Sequence, residues 1–222
     1  MSWMVLERTS VKLYRPYYKT AKRCFELILC LFLIPILVPL GLIIALAIRL
    51  DTPGPIFFVQ DRVGKGGRVF KMIKFRTMHQ NLNKDAHQLF MKAFVNGTAK
   101  EEGQKIFKPF NSSEVTFVGR ILRKTSLDEL PQLINVFRGE MSLIGPRPNV
   151  VWEVEEYRGW HKERLEVLPG ITGLAQVRGR SCISFDRIVE YDIEYVEKQS
   201  LKLDLLIIWW TISSVLFGRG AH

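Results

Sequence analysis

Residues 27–48 read LILCLFLIPILVPLGLIIALAI, a run without one charged side chain. As a helix it covers roughly 30 Å, the hydrocarbon thickness of a bilayer. It lacks the short apolar core and small-residue cleavage site of a signal peptide, so it is read as part of the mature chain. Lys12, Arg15, Lys19, Lys22 and Arg23 precede it, and Arg49, Arg62, Lys65 and Arg68 follow. A basic flank prefers the cytoplasmic side, and here both flanks are basic. Pro35 and Pro39 lie inside the run and can bend it. Flanks and prolines together predict a re-entrant helix that enters the cytoplasmic leaflet, kinks and returns to the side it left. An ordinary spanning helix is the alternative.

Outward from this run, the 222-residue chain is 47% hydrophobic and carries a formal charge of +10. That length supports one good core or two small ones. Cys24, Cys30 and Cys182 show no disulfide or metal spacing, which fits reduced cytoplasmic thiols. The expected division is a basic segment over 1–21, the membrane helix over 22–50, a cytoplasmic domain with interfacial helices over 51–218 and a tail over 219–222. The fold class is α+β.

Asp51-Thr52-Pro53-Gly54-Pro55 stops the membrane helix. Residues 56–59 and 69–75 read as short strands joined around Gly64-Lys65-Gly66-Gly67, a hairpin. The glycine turn lacks the lysine–hydroxyl ending and strand-to-helix setting of a P-loop. In KFRTM, Lys74 and Arg76 alternate with Phe75, so they point together toward an anion or form a solvated strand face.

The chemistry concentrates in residues 125–148, TSLDELPQLINVFRGEMSLIGPRP. Proline is tolerated only in a helix's first turn, so a helix should start close before Pro131. Asp128 is the better N-cap, because the capping-box alternative, Ser126 with Glu129, pushes Pro131 deeper. Roughly three turns with one apolar face then run to a stop at Gly139. Capping alone explains one acid. Arg120, Arg123 and Lys124 before the Asp128-Glu129 pair, and Arg138 and Arg147 after it, add a cationic frame at a helix end that already favours anions. Two carboxylates inside such a frame suit a divalent ion held against a diphosphate, or attack on phosphorus. In Gly145-Pro146-Arg147-Pro148 the prolines preset the guanidinium fork for phosphate oxygens, unless the turn is a rigid surface corner.

Elsewhere the signals thin out. Residues 81–113 suggest a helix followed by an irregular loop. Residues 157–168 read as a surface helix ending at Pro169-Gly170, and Gly170, Gly173 and Gly179 loosen the backbone around Arg178 and Arg180. Arg180 is a candidate phosphate clamp. Ser184 caps a helix through Lys198, with Asp186 and Glu190 near its start. A second apolar helix after Ser200, with Trp209 and Trp210, either lies at a membrane interface or packs on the domain. His79, His87, His161 and His222 show no ligand spacing and read as incidental.

Taken together, DTPGPIFFVQDRVG, KFRTM, TSLDELPQLINVFRGEMSLIGPRP, PGITGLAQVRGR and YDIEYVEKQSLKLDLLIIWWTI resemble the bacterial sugar transferases, the monotopic phosphoglycosyl transferases, in their small catalytic-unit form. The segments occur in family order and cover nearly everything from Lys22 to Gly218. The resemblance implies transfer of a sugar phosphate from a UDP-sugar to polyprenol phosphate, releasing UMP and starting surface glycan assembly. It implies Mg²⁺ as cofactor and a place on the cytoplasmic face of the bacterial inner membrane, with membrane lipids and a second copy of the chain as candidate partners and no nucleic acid. Asp128 would be the nucleophile and Glu129 its acidic partner, both near the metal. Lys74, Arg123, Arg147 and Arg180 match positions of the active site or phosphate recognition, with Arg76 beside them. Asp204 falls at a family acidic position, and Asp192 competes with it.

The chain departs from the family at Val38-Pro39, where Ser-Pro is common, and at Leu174 and Arg178, where Trp and Asn are frequent. Valine cannot make the serine hydroxyl's backbone bond at the kink. A noncatalytic membrane scaffold would explain the apolar run and the charge, but not Asp128-Glu129 within its basic frame. A nucleic-acid binder lacks a reading motif here. Spanning phosphatidyl-type transferases need several membrane helices and a distributed acidic motif.

Overall fold

The computed structural model describes residues 16–79, 85–97, 114–179 and 183–216. Its dominant element is α1, Pro16–Asp51, which continues through Pro35 and Pro39 and is about 54 Å long. Among the described residues it is the one helix long and apolar enough to cross a membrane. Its surface is divided. Glu26, Cys30, Ile44 and Ile48 are buried, whereas Ile28, Phe32, Ile36, Leu42, Leu46 and Leu50 are exposed. Glu26 to Ile44 and Cys30 to Ile48 each span about five helical turns, so the buried positions form one stripe. Cys30 packs with Phe70, Met72, Val136 and Met141. Ile44 and Ile48 pack with Phe75 and Leu122. One body therefore holds both halves of α1, and burial of each large apolar side chain contributes about 1.5–3 kcal/mol.

The hairpin is present, with β1 at Phe57–Val63 and β2 at Val69–Phe75, antiparallel from Phe57↔Phe75 to Val63↔Val69. β1 runs longer than the expected 56–59. The turn is a 3-10 segment, Lys65–Gly67, and Gly66 and Gly67 have φ of 65° and 79°, where glycine alone is unstrained.

Helix α2, Asp85–Val95, lies in the region expected to begin helical; the loop expected after it falls largely outside the described residues. α3, Phe117–Thr125, starts at Thr116, whose hydroxyl accepts from Gly119 N. A methyl at Gly119 would meet Thr77 O at 2.1 Å, so only glycine lets α3 sit this close to the end of β2.

The helix expected from Asp128 takes another form. Leu127–Glu129 is a 3-10 turn and α4, Gln132–Phe137, begins after Pro131. Continuing the α-helix would require Pro131's missing N–H at Leu127 O, which instead accepts from Leu130 N at 3.3 Å. Asp128 is therefore not an N-cap. The stop at Gly139, φ 76°, is as expected.

A second, parallel pair follows, β3 (Ser142–Ile144) and β4 (Gly170–Thr172), which local patterning did not announce. Between them lie α5, Val151–Glu155, and a 3-10 stretch, Gly159–Glu166, in place of the expected surface helix over 157–168. Its His161 and Arg164 are buried, and such groups need fixed partners rather than a regular exposed face. His161 bonds Asp186, so it is a core residue. α6, Leu174–Gly179, replaces the expected loose glycine segment. α7, Phe185–Lys198, is capped by Ser184 as read, and α8 covers Leu201–Leu216. α8 meets both alternatives halfway: Asp204 and Ile207 are buried, while Leu205, Trp209 and Ile212 are exposed.

Candidate active site

Three elements converge on Glu129. Lys74, from β2, donates to Oε1 at 2.8 Å, and Arg147, from the loop after β3, donates to the same oxygen at 3.2 Å. The Glu129 side chain is 15% exposed, which tends to raise its pKa, but Arg147 and Lys74 outweigh burial and hold it at about 2. Glu129 is thus an anion at any physiological pH, and its charge is already balanced.

Asp128 is the contrasting member. Its carboxylate has no hydrogen bond or ion pair among the described residues, because the 3-10 turn leaves no backbone N–H for it to cap. Burial pushes its pKa up; Lys74 opposes this, Glu129 adds to it, and Arg147 and Arg123 pull down. Arg123 is aimed by Nε donating to Thr77 Oγ1 at 3.0 Å. A half-buried carboxylate with cations nearby and no fixed partner keeps its lone pairs for a ligand or an electrophile. Just before it, Ser126 stands at φ 57°, an unusual conformation for a residue with a Cβ.

The Arg147 loop is held at successive carbonyls. Gly170 N donates to Pro146 O at 2.9 Å, Arg164 Nη2 to Arg147 O at 2.9 Å and Arg62 Nη1 to Pro148 O at 3.1 Å. Val63 N donates to Asn149 O at 2.9 Å. Arg164 also donates to Asn149 Oδ1 and the Tyr157 hydroxyl, each at 2.7 Å. Sequence reasoning missed Arg62, Asn149 and Arg164. Their role arises from pairings between distant segments, and no local spacing signals it.

The structure gathers Lys74, Arg123, Asp128, Glu129 and Arg147, and places the other candidates elsewhere. Arg76 is buried and turned away from Lys74, donating to Thr52 O and Pro53 O, both at 2.7 Å. Asp192 is buried in an ion pair with Arg164, so it meets the site only through the Arg147 loop. Asp204 is bound by Tyr18, Tyr195 and Lys22. Arg180 lies outside the described residues. Arg178, at the position where Asn is frequent, pairs with Glu194 and lies over the Trp210 ring.

Among the described residues no group of three or more His, Cys, Asp or Glu is placed to hold a metal. The donors present are Asp128 and the second oxygen of Glu129. Mg²⁺ typically binds through one or two carboxylates, with water and substrate phosphate completing its shell, and this donor set fits that pattern.

A paired acid between a lysine and a proline-flanked arginine, beside an apolar helix seated along its length, defines a membrane-associated anion-handling enzyme. The family model for bacterial sugar transferases matches residues 17–218, and the chain belongs to that family. It is 39% identical to the exopolysaccharide production protein ExoY of Sinorhizobium fredii, over 94% of this chain and 91% of the relative. Identity is 38% to the UDP-glucose:undecaprenyl-phosphate glucose-1-phosphate transferase of Caulobacter vibrioides, over 90% of this chain and 72% of the relative. It is 39% to the undecaprenyl-phosphate galactose phosphotransferase of Salmonella typhimurium, over 90% of this chain and 41% of that longer protein.

Proposed function

We propose that this chain moves a sugar 1-phosphate from a UDP-sugar to undecaprenyl phosphate, in two steps, at the cytoplasmic face of the bacterial inner membrane. The observation that carries the reading is the pairing of a carboxylate with no bonded partner among the described residues, Asp128, with one whose charge is already neutralised, Glu129. An oxygen of Asp128 attacks the phosphorus bearing the sugar; the bond from that phosphorus to the bridging oxygen breaks and UMP leaves. The resulting acyl phosphate is attacked by an oxygen of the lipid phosphate, which returns the Asp128 carboxylate and yields a polyprenyl diphosphosugar. Lys74 and Arg147, fixed before substrate arrives, offset the charge of the diphosphate and of the transferring phosphoryl group. Bound Mg²⁺ at Asp128 and Glu129 would add positive charge to the diphosphate oxygens.

Two observations support a monotopic seat. α1 is packed on the same domain near Cys30 and again near Ile48, so neither half is free to carry the chain to the opposite membrane face. From Ile28 to Leu46 its outer face is apolar, suited to shallow immersion with α8 alongside at the interface. Both substrates then meet at one surface, a soluble donor from the cytoplasm and a lipid from the leaflet.

The test uses the full chain in lipid vesicles with Mg²⁺ and a panel of UDP-glucose, UDP-galactose and their N-acetylated counterparts. UMP release should require both donor and lipid phosphate for at least one sugar. With donor alone, intact-protein mass should show a phosphosugar adduct that Asp128→Asn lacks. An adduct retained in that variant moves the nucleophile elsewhere. Absence of turnover across the panel, with both substrates shown to bind, overturns the assignment.

A further inference from the structure

Glu129 is gripped by two cations that come from different elements, and each is connected by hydrogen-bonded structure to a different end of α1. Near its start, Lys22 Nζ donates to Ile144 O at 2.8 Å and to the Tyr195 hydroxyl at 2.5 Å, and lies 3.4 Å from each Asp204 oxygen. All three ammonium protons are thereby used. One turn on, Glu26 Oε1 accepts from Ser142 Oγ at 2.5 Å and from Leu143 N at 3.1 Å. Ile144 leads directly into Gly145-Pro146-Arg147. That short tether has little freedom: Gly145 N is bound to Thr172 O at 2.9 Å, and a methyl on Gly145 would meet Leu168 O at 2.4 Å.

At the other end the connection is Arg76. Its guanidinium donates to Thr52 O, Thr52 Oγ1 and Pro53 O, the first residues beyond α1, at 2.7, 2.9 and 2.7 Å. Its backbone N bonds Ile56 O at 2.9 Å. Two residues before it stands Lys74, and one residue after it Thr77, which aims Arg123. Asp51 Oδ2 also accepts from Val118 N at 3.1 Å, tying the helix end to α3.

We infer that Lys22 and Arg76 are positioning residues for the proposed transfer, Lys22 setting Arg147 and Arg76 setting Lys74, so that the seating of the membrane helix adjusts the cationic grip around Glu129. This deepens the functional reading above and rests on it. Neither residue need touch substrate. Each fixes the backbone from which a substrate-facing cation is presented, and small displacements of such groups carry a large cost in rate. The two arms share no residue until they meet at Glu129 Oε1, which makes the inference specific.

The test is a crossed set of double-mutant cycles on the full chain in vesicles, with donor and lipid phosphate saturating. Lys22→Met and Tyr195→Phe should each lower kcat about 10-fold, yet less than about 3-fold when Arg147→Lys is already present, because their effect passes through Arg147. In the Lys74→Met background their losses should remain near full size. Arg76→Lys should show the reverse pattern, overlapping with Lys74→Met and adding to Arg147→Lys. General loosening of the fold would produce no such crossing. Tyr195→Phe keeps the ring, leaves the flanking charges of α1 untouched and serves if Lys22→Met does not fold. Additive losses in every background, with normal parental turnover, overturn the inference alone. A parent without turnover overturns the functional reading and the inference with it.

Discussion

Asp128 is half-buried and Asp204 fully buried, and their bonded surroundings could hardly differ more. Asp204 is 1% exposed and saturated: Tyr18 and Tyr195 donate to its two oxygens, each at 2.8 Å, and Lys22 stands between them. Asp128 has no bonded partner among the described residues, only nearby cations. The first pattern is how a fold makes a buried charge tolerable; the second is how it keeps one available. Acidity and withdrawal from water do not by themselves mark a candidate reactive carboxylate; lone pairs left without a fixed partner do.

The sharpest break of this contrast is a matched pair of amides. Asp128→Asn should lower UMP release at least ~10³-fold. Its thermal stability at pH 7 should equal or exceed the parent's. Because burial raises the folded-state pKa of Asp128, the charged form costs stability as pH rises through that pKa. The gain from the amide should therefore vanish below about pH 4, where unfolded Asp is protonated as well. Asp204→Asn should do the opposite, losing ~3 kcal/mol by stranding Lys22, which lowers Tm by about 6–12 °C for a chain of this size. Thermal melts of both variants across pH 3.5–8 check both signs.

A smaller effect tests the balance between the neighbouring acids. Lys74 favours the ionised form of both, so Lys74→Met should raise the pKa of Asp128 further and release Glu129 from its depressed value of about 2. The acid limb of the kcat profile should move to higher pH, by about one unit. An unmoved limb would mean that Asp128 does not govern it. The smallest expected change lies next door. Ser126 holds φ 57° without a side-chain capping bond, so Ser126→Gly should add up to ~1 kcal/mol to stability, read by denaturant midpoint.

Much of the candidate site was readable because it is local. Asp128, Glu129 and the arginines around them lie within one short segment, and a carboxylate pair in a basic frame is conspicuous. The hairpin and α7 were readable for the same reason, through glycines, alternation and a serine cap. What escaped depends on segments far apart. Lys22 looks like one more basic flank of an apolar run, and only Asp204 and Ile144, arriving over a hundred residues later, make it a buried latch. Arg76 resembles Lys74 along the strand, yet their partners lie in different directions. The pairing of β3 with β4 joins strands of three residues each, too short for a periodic signal. The 3-10 turn at Asp128 follows from one absent N–H, visible in Pro131 once the carbonyl it fails to serve is identified.

The bond from Tyr18 to Asp204 links positions 186 apart, nearly the whole chain. During synthesis at about 5–20 residues per second, the first helix would leave the ribosome some 10–40 s before its last partner does. For that interval Tyr18 and Lys22 lack Asp204, and until β3 emerges Glu26 has only Lys22 on its own helix. On the proposed monotopic seat they would lie at the lipid headgroups and stay solvated, while the apolar residues behind them would already rest in the leaflet. The membrane would then act as a waiting room for the nascent chain, and assembly would end with the arrival of α8.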